Sequence, residues 1–499
     1  MEQYLCIHGH FYQPPRENPW LEAIETEASA SPYHDWNERI TVECYAPNGA
    51  AHILDAEGRS IQIASNYAKM SFNFGPTLLS WMAQKRPDIY QTVLDADKAG
   101  QAQFSGHSSA IAQAYNHVIM PLANRRDKET QVAWGIYDFE KRFGRKPEGM
   151  WLPETAVDLE SLAIMAGHGI QFTILDTAQA KRFRPIGGRE WRDATDGRLD
   201  PTMPYLVRLR EGRTIAVFFY DGPVSRAVAF ERLLSDGAAF ASRLLASFND
   251  GRPWPQIVSI ATDGETYGHH FRHGDMALAY ALHHIETRGL ARLTNYAEYL
   301  ERYPPSHEVE LRENTSWSCP HGVERWRSDC GCNMGAHPEW RQAWRAPLRE
   351  AIDWLRDSLA THYEQEAAKV LADPWLARDE YISVILDRSP ANVSACLASH
   401  ATVEVTPGST TSILNYLELQ RHSLLMQTSC GWFFDDISGI EAIQVLRYAG
   451  RAMQLAREVF AVDLEAEFRD RLRKAPVNDT QYRDGADVYD QRVKPAMVG

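Results

Sequence analysis

The sequence predicts an α/β fold, a parallel barrel over roughly the first 305 residues followed by a mainly α-helical domain. Three observations carry that reading. Short apolar runs recur through the first 300 residues, and several end in an acid or a histidine. Helical patterns lie between them. From about residue 339 the strand-like runs give way to helical periodicity. Continuous apolar runs suit strands buried on both faces. Strands alternating with helices imply βαβ units and a parallel sheet.

Taken in order, Tyr4–Ile7 leads to His8-Gly9-His10, and Gln103-Phe104-Ser105 leads to Gly106-His107. Gly149–Leu152 runs to Pro153-Glu154, Phe172–Leu175 to Asp176, and Ile215–Tyr220 to Asp221. Ile257–Ala261 leads to Asp263-Gly264-Glu265. Between these, Asp127–Phe143 opens with acids and closes with bases, as the helix dipole prefers. Asp158–His168 is closed by Gly169, and Arg232–Phe248 is a third helix. Beyond the barrel, Trp340–Leu359, Glu364–Leu371, Thr411–Gln427 and Ser438–Phe460 read as helices. The last carries a stripe of Ala442, Val445, Leu446, Ala449, Met453 and Ala456, with Ser438 and Glu441 at capping-box spacing. The domains expected are 1–305 barrel, 306–338 a Cys/Trp-rich loop over the cleft, 339–473 helical domain and 474–499 a loosely held polar tail.

Lys+Arg 52 against Asp+Glu 66 leaves a net charge of −14. That surplus of acid argues against nucleic acid and against anionic lipid, and leaves a neutral partner such as a sugar unpenalised. No run of about 18 apolar residues marks a membrane span. The N-terminus lacks the basic and apolar regions of a secretory signal. The seven cysteines are odd in number and scattered except for Cys319, Cys330 and Cys332, so no disulfide framework is expected, and the reading is a cytoplasmic protein.

In a parallel barrel the carboxyl ends of all strands meet on one face, where active sites lie. Polar residues at separate strand ends therefore converge. Two carboxylates on separate strand ends, Glu154 and Asp263, supply what glycoside hydrolysis needs: one to attack the anomeric carbon or activate water, one to protonate the leaving oxygen. An acid after a strand is often only a helix N-cap, and that reading stands beside the catalytic one for Glu154, Asp176, Asp221 and Asp263 alike.

The chain resembles glycoside hydrolase family 57 in five short regions. They are His8-Gly9-His10-Phe11-Tyr12-Gln13-Pro14; Gly106-His107-Ser108 with Asn116–Leu122; Trp151-Leu152-Pro153-Glu154; Thr262–His269; and Thr294–Tyr299. The first departs from the family's His-Gln-Pro motif by Phe11-Tyr12. The resemblance, over about residues 1–305, implies an incomplete (β/α)7 barrel, α-glucan or maltooligosaccharide substrates, and a retaining mechanism with Glu154 as nucleophile and Asp263 as acid/base. It implies no cofactor. Substrate-binding candidates are His8, His10, Gln13, His107, Trp151, Asp221, Glu265 and His269, with Trp317, Arg325 and Trp326 from the segment Asn314–Cys332. Cys319, His321, Cys330 and Cys332 of that segment offer enough N and S ligands for zinc, though not in a standard finger spacing, and buried thiols are the alternative. Rival readings are a zinc-dependent α-mannosidase-like enzyme using His8 and His10, a metal-dependent deacetylase-like enzyme, and a catalytically silent glucan-binding protein.

Overall fold

The first apolar run extends into a nine-residue strand, β1 (Gln3–Phe11), so His8 and His10 lie within the strand. The computed structural model describes residues 2–498 apart from Ala56 and Asp196. Its chain divides into two units. The first comprises residues 1–13, 26–114 and 139–317, and the second residues 14–25, 115–138 and 318–499.

Among the described residues, a circuit of seven parallel strands runs through the first unit: β1, β2 (Ser71–Phe74), β3 (Ala112–Gln113), β4 (Met150–Trp151), β5 (Phe172–Asp176), β6 (Thr214–Tyr220) and β7 (Gln256–Asp263). β1 pairs with β2 from His8↔Ser71 to Phe11↔Phe74, and with β7 from Gln3↔Gln256 to His10↔Asp263. The bridge Phe72↔Ala110 leads from β2 towards β3, which pairs with β4 through Ala112↔Met150. The bridge Gly149↔Phe172 joins β4 to β5, and β5 pairs with β6 up to Asp176↔Tyr220. Between β6 and β7 the link is a hydrogen bond from Asp221 N to Ser259 O at 2.7 Å, just past the end of β6. The circuit is thus laddered on four sides, joined by single bridges on two, and thinnest on the seventh.

Alternate residues along a strand share a face. Tyr4, Cys6, Phe172, Ile174, Ala216, Phe218, Tyr220 and Ala261 pack as one buried cluster. Continuing that alternation brings His8, His10, Asp176 and Asp263 to the same side at the carboxyl ends. The barrel is apolar low down and polar at its top.

Several local expectations change. Gln103-Phe104-Ser105 is no strand: it closes the helix Pro87–Gln103. Arg232–Phe248 is broken into a 3-10 turn and a helix Gly237–Leu245, because Asp236 restarts the chain by accepting from Ala238 N and Ala239 N. Residues 306–317 are more than a loop: His307–Leu311 is a strand antiparallel to Ala180–Pro185 and parallel to Tyr205–Arg208, which itself pairs with β6.

The second unit is helical, with Arg345–Ala367, Pro407–Leu425 and Ile440–Phe460 the longest helices that lie wholly within it. The first runs through Glu364, so no separate helix begins there. The stripe Ala442, Val445, Leu446, Ala449, Met453 and Ala456 is buried as its spacing predicts. Ser438 does not cap that helix; Gly439 occupies the cap position with no side-chain bond. The tail is not loose: Gly485–Arg492 is a helix whose Val488 and Tyr489 are buried, as are Ala475 and Val493. Among the described residues no helix is long and apolar enough to cross a membrane.

Candidate active site

Glu154 and Asp263 stand at the carboxyl ends of β4 and β7. Pro153–Thr155 forms a single 3-10 turn in which Glu154 has φ 59° and Thr155 φ 50°. Left-handed backbone is unfavourable for residues with a Cβ, and it persists at functional sites where the surroundings enforce it. Here Trp317 enforces it twice: its backbone N–H donates to Glu154 O and its indole Nε1–H to Glu154 Oε2, both at 3.0 Å. An indole can donate but not accept, so it fixes one carboxylate oxygen. The bridge Val157↔Thr315 delivers Trp317 to this position.

Asp263 occupies the cap position of the turn Gly264–Tyr267 yet makes no capping bond. Asp221 and Asp176 do cap. Asp221 accepts from Val224 N at 3.0 Å and from Ser247 Oγ at 2.8 Å. Asp176 accepts from Ala178 N at 2.7 Å and from the Tyr220 hydroxyl. The capping role therefore claims Asp176 and Asp221 and leaves the Asp263 carboxyl open to solvent at its strand end. Protein packed around Asp263, then the charges of Glu265 and Glu154, hold its pKa well above the ordinary range.

Glu265 is buried and accepts from Tyr12 N at 2.9 Å and from the Tyr45 hydroxyl at 2.5 Å. Burial raises its pKa to about 7, against the pull of those hydrogen bonds. Gln13 packs beside it, donating to Tyr12 O at 3.0 Å.

The two histidines of β1 are organised by Asn73 of β2. Asn73 Nδ2 donates to His10 Nδ1 at 2.9 Å and to Gln113 Oε1 at 2.8 Å, and its Oδ1 lies 3.1 Å from His8 Nε2. That fixes the proton of His8 on Nε2 and leaves Nδ1 to accept from Ser71 Oγ at 3.0 Å. Burial lowers both histidines to about 3, so they are neutral imidazoles, not the imidazolium that charge stabilisation of a carboxylate would use. Both stack on Trp151, with ring centroids 4.9 and 5.0 Å away, and Trp317 meets the same indole edge-on at 5.1 Å. Two buried donors here, Trp151 Nε1 and Gln113 Nε2, have no hydrogen-bond partner among the described residues.

Other candidates fall elsewhere. His107 precedes β3 instead of ending a strand. Its ring lies 2.7 Å from Glu148, just before β4, and 3.0 Å from Glu301, which puts it at the amino ends of the strands, opposite the carboxylates. The substrate-binding expectation for His107 is therefore corrected; the cause is the misread strand at 103–105. His269 pairs with Glu43 at 2.5 Å, with Trp36 against its ring. In the second unit, Arg325 donates to Phe433 O at 3.0 Å and Ser318 O at 3.2 Å and lies over the Phe433 ring, while Trp326 is fully buried. Arg325 and Trp326 thus act as anchors of their own segment. The sequence reading missed Asn73, Gln113, Tyr45 and Tyr220. A signal for Asn73 exists in Ser71-Phe72-Asn73-Phe74, where two polar side chains alternate with two aromatic ones.

Fold and site together define an α/β-barrel protein with a carboxylate pair on its strand-end face. Residues 38–312 match glycosyl hydrolase family 57, and the chain belongs to that family. Residues 340–499 match a domain of unknown function (DUF3536). Alpha-amylase 1 of Dictyoglomus thermophilum is 22% identical over 200 residues, 40% of this chain and 26% of that protein. The 4-alpha-glucanotransferase of Thermococcus litoralis is 22% identical over 270 residues, 50% of this chain and 36% of that protein. The chain thus spans about a quarter to a third of the length of these curated relatives. Among solved structures, an exo-type maltose-forming amylase from Pyrococcus sp. ST04 is 15% identical with a TM-score of 0.73, covering 99% of this chain and 93% of that one, a likeness of fold.

Proposed function

We propose that the protein is a retaining glycoside hydrolase or transglycosylase acting on α-linked glucans, with Glu154 as nucleophile and Asp263 as general acid/base. The observation that carries this is the contrast among strand-end acids: Asp176 and Asp221 are spent on helix caps, while Asp263 is uncapped, open to solvent and under the charge of Glu154. A raised pKa keeps Asp263 protonated to donate to the leaving oxygen. Glu154, held by Trp317, attacks the anomeric carbon and becomes a glycosyl ester. Its charge vanishes, the pKa of Asp263 falls, and Asp263 then takes a proton from the acceptor, water or a sugar hydroxyl, in the second step. The half-buried Trp317 ring supplies flat apolar surface for a sugar. The family membership and the amylase and glucanotransferase among the relatives support the α-glucan class. Seven cysteines, an odd and mostly scattered set, suit a reducing cytoplasm. The chelating role of His8 in a zinc α-mannosidase-like site is disfavoured because both its ring nitrogens are engaged by Ser71 and Asn73.

Two mutants test the mechanism. With an activated substrate, Asp263→Ala still glycosylates Glu154, and azide, which needs no base, restores turnover and yields a glycosyl azide of retained configuration. In Glu154→Ala, azide replaces the nucleophile itself and yields the inverted azide. Near-normal rates in both mutants overturn the assignment. Product analysis on a panel of α-glucans separates hydrolysis from transfer.

A further inference from the structure

The second unit contains a side-chain cluster that the carboxylate chemistry does not use. Cys319, His321, Cys330 and Cys332 each offer one ligand atom, and these four atoms lie within 4.8 Å of one another. Cys319 Sγ is 3.8 Å from Cys332 Sγ, 4.0 Å from Cys330 Sγ and 4.0 Å from His321 Nδ1, and Cys332 Sγ is 3.6 Å from His321 Nδ1. A tetrahedral zinc with Zn–S about 2.3 Å and Zn–N about 2.0–2.1 Å has edges of about 3.8 Å between sulfurs and about 3.6 Å from sulfur to nitrogen. The Cys319–Cys332 and Cys332–His321 spacings equal those edges, the other two exceed them by about 0.2–0.4 Å, and the sulfur–sulfur spacings are far too long for a disulfide, whose S–S length is about 2.05 Å.

The backbone is shaped to present these atoms in pairs. Gly322 N donates to Cys319 O at 3.0 Å, closing a turn over Cys319–Gly322 that carries the first two ligands. Between the other two, Gly331 has φ 79°, a conformation that residues with a Cβ resist, so C-G-C bends tightly enough to bring both sulfurs to one point. Sequence spacing alone, C-x-H and C-x-C, is shorter than the common zinc pattern, and the two turns make up the difference.

The surroundings fit the charge of such a centre. Arg345 is fully buried. Its guanidinium donates to Cys332 O and Trp432 O at 2.9 Å and to Phe434 O at 3.1 Å, and lies 3.9 Å from Cys330 Sγ. Asp435 acts on it electrostatically and accepts a hydrogen bond from Met334 N at 2.8 Å. Three thiolates and one neutral imidazole around Zn²⁺ leave a net charge of −1, a counter-charge for the buried guanidinium.

We propose that Cys319, His321, Cys330 and Cys332 bind one zinc ion as a closed structural site that organises residues 318–335. Four protein ligands leave no open position for water or substrate, so the site is structural and not catalytic. Binding displaces the thiol protons to solvent and changes no oxidation state.

The full-length protein, stripped of metal under reducing conditions, is titrated with zinc against a chromophoric chelator. One equivalent per chain should be taken up, and cobalt(II) in its place should show thiolate-to-metal charge transfer and the visible bands of a tetrahedral ion. Cys330→Ser with Cys332→Ser should lower zinc affinity by at least about tenfold, whereas His321→Cys should keep zinc and change the cobalt spectrum to that of four sulfurs. Because the double variant can misfold, the wild-type protein is also alkylated with and without zinc and its peptides mapped. Zinc should slow modification of Cys319, Cys330 and Cys332 at least several-fold and leave Cys396 unaffected. No uptake by wild type, or equal alkylation of the three thiols with and without zinc, overturns the proposal.

Discussion

The indole of Trp317 is the most local determinant of the candidate nucleophile. It contributes a hydrogen bond to a charged group, worth about 1.5–3 kcal/mol. Trp317→Phe keeps the edge contact with Trp151 and removes the donor. It should lower kcat/KM on a maltooligosaccharide by about tenfold or more, with little change in Tm; an unchanged kcat/KM would show that the bond does not position Glu154. Glu265 gives a second residue-scale test. Burial raises its folded pKa to about 7, above the usual carboxylate value near 4.5. The native state therefore binds this proton more tightly than the unfolded chain does. Its contribution to stability is fully present below about pH 4.5 and is lost as pH rises through about 7. Glu265→Gln should flatten that part of the stability profile in urea unfolding at a series of pH values. It also removes a negative charge that raises Asp263, so the alkaline limb of kcat/KM should move to lower pH. A limb that stays in place would mean that Glu265 does not tune the acid.

At the scale of elements, the site depends on how closely β1 and β7 approach just beyond their paired ends. A Cβ built on Gly264 would lie 2.2–2.5 Å from ring atoms of Phe11, the last residue of β1. Phe11 is itself stacked on Phe74 at 4.7 Å and fully buried, so its ring has little room to yield. Gly264→Ala should cost about 1–3 kcal/mol by overpacking, visible as a lowered urea midpoint. It should also depress kcat, since Asp263 is the preceding residue. Wild-type stability in this variant would mean that the strand ends are looser than their packing implies. Two departures from the sequence pattern have causes at this scale. Asp236 interrupts a long helical pattern because a capping side chain offers the backbone N–H groups a new start. His107 lies opposite the carboxylates because Gln103-Phe104-Ser105, which in isolation has the pattern of a strand end, is the last turn of a helix whose buried face includes Val93, Ala96 and Gly100.

For the whole molecule, seven parallel strands close with their thin side between β6 and β7, and Glu154, Asp176, Asp221 and Asp263 each ride on a different strand end. This is why the pair is separated by more than a hundred residues in sequence. The division into units does not follow chain order either. Residues 14–25 and 115–138 group with the helical unit, and 306–317 group with the barrel. A reading that cuts the chain into consecutive blocks cannot find such excursions, because the contacts that define them are non-local. The family match over 38–312 and the separate match over 340–499 follow the broad barrel-then-helices order that the sequence patterns suggest.

The sequence by itself determined that strands and helices alternate before residue 305, that helices dominate after 339, and that acids and histidines follow several strands. These properties are local: periodicity and capping chemistry act over a few residues and survive without knowledge of the fold. The motifs around Glu154 and Asp263 were legible for the same reason. Only the tertiary structure decided which acids are caps and which is open, because Val224 N and Ser247 claim Asp221 while nothing caps with Asp263. It alone brought Asn73 to both histidines and Trp317 to Glu154 across 163 positions, and gathered a thiol and an imidazole from one turn with two thiols from another. Convergence of groups distant in sequence is set by strand order, register and turn geometry, and a shift of only a few residues at a strand boundary carries a side chain such as His107 from one face of the barrel to the other.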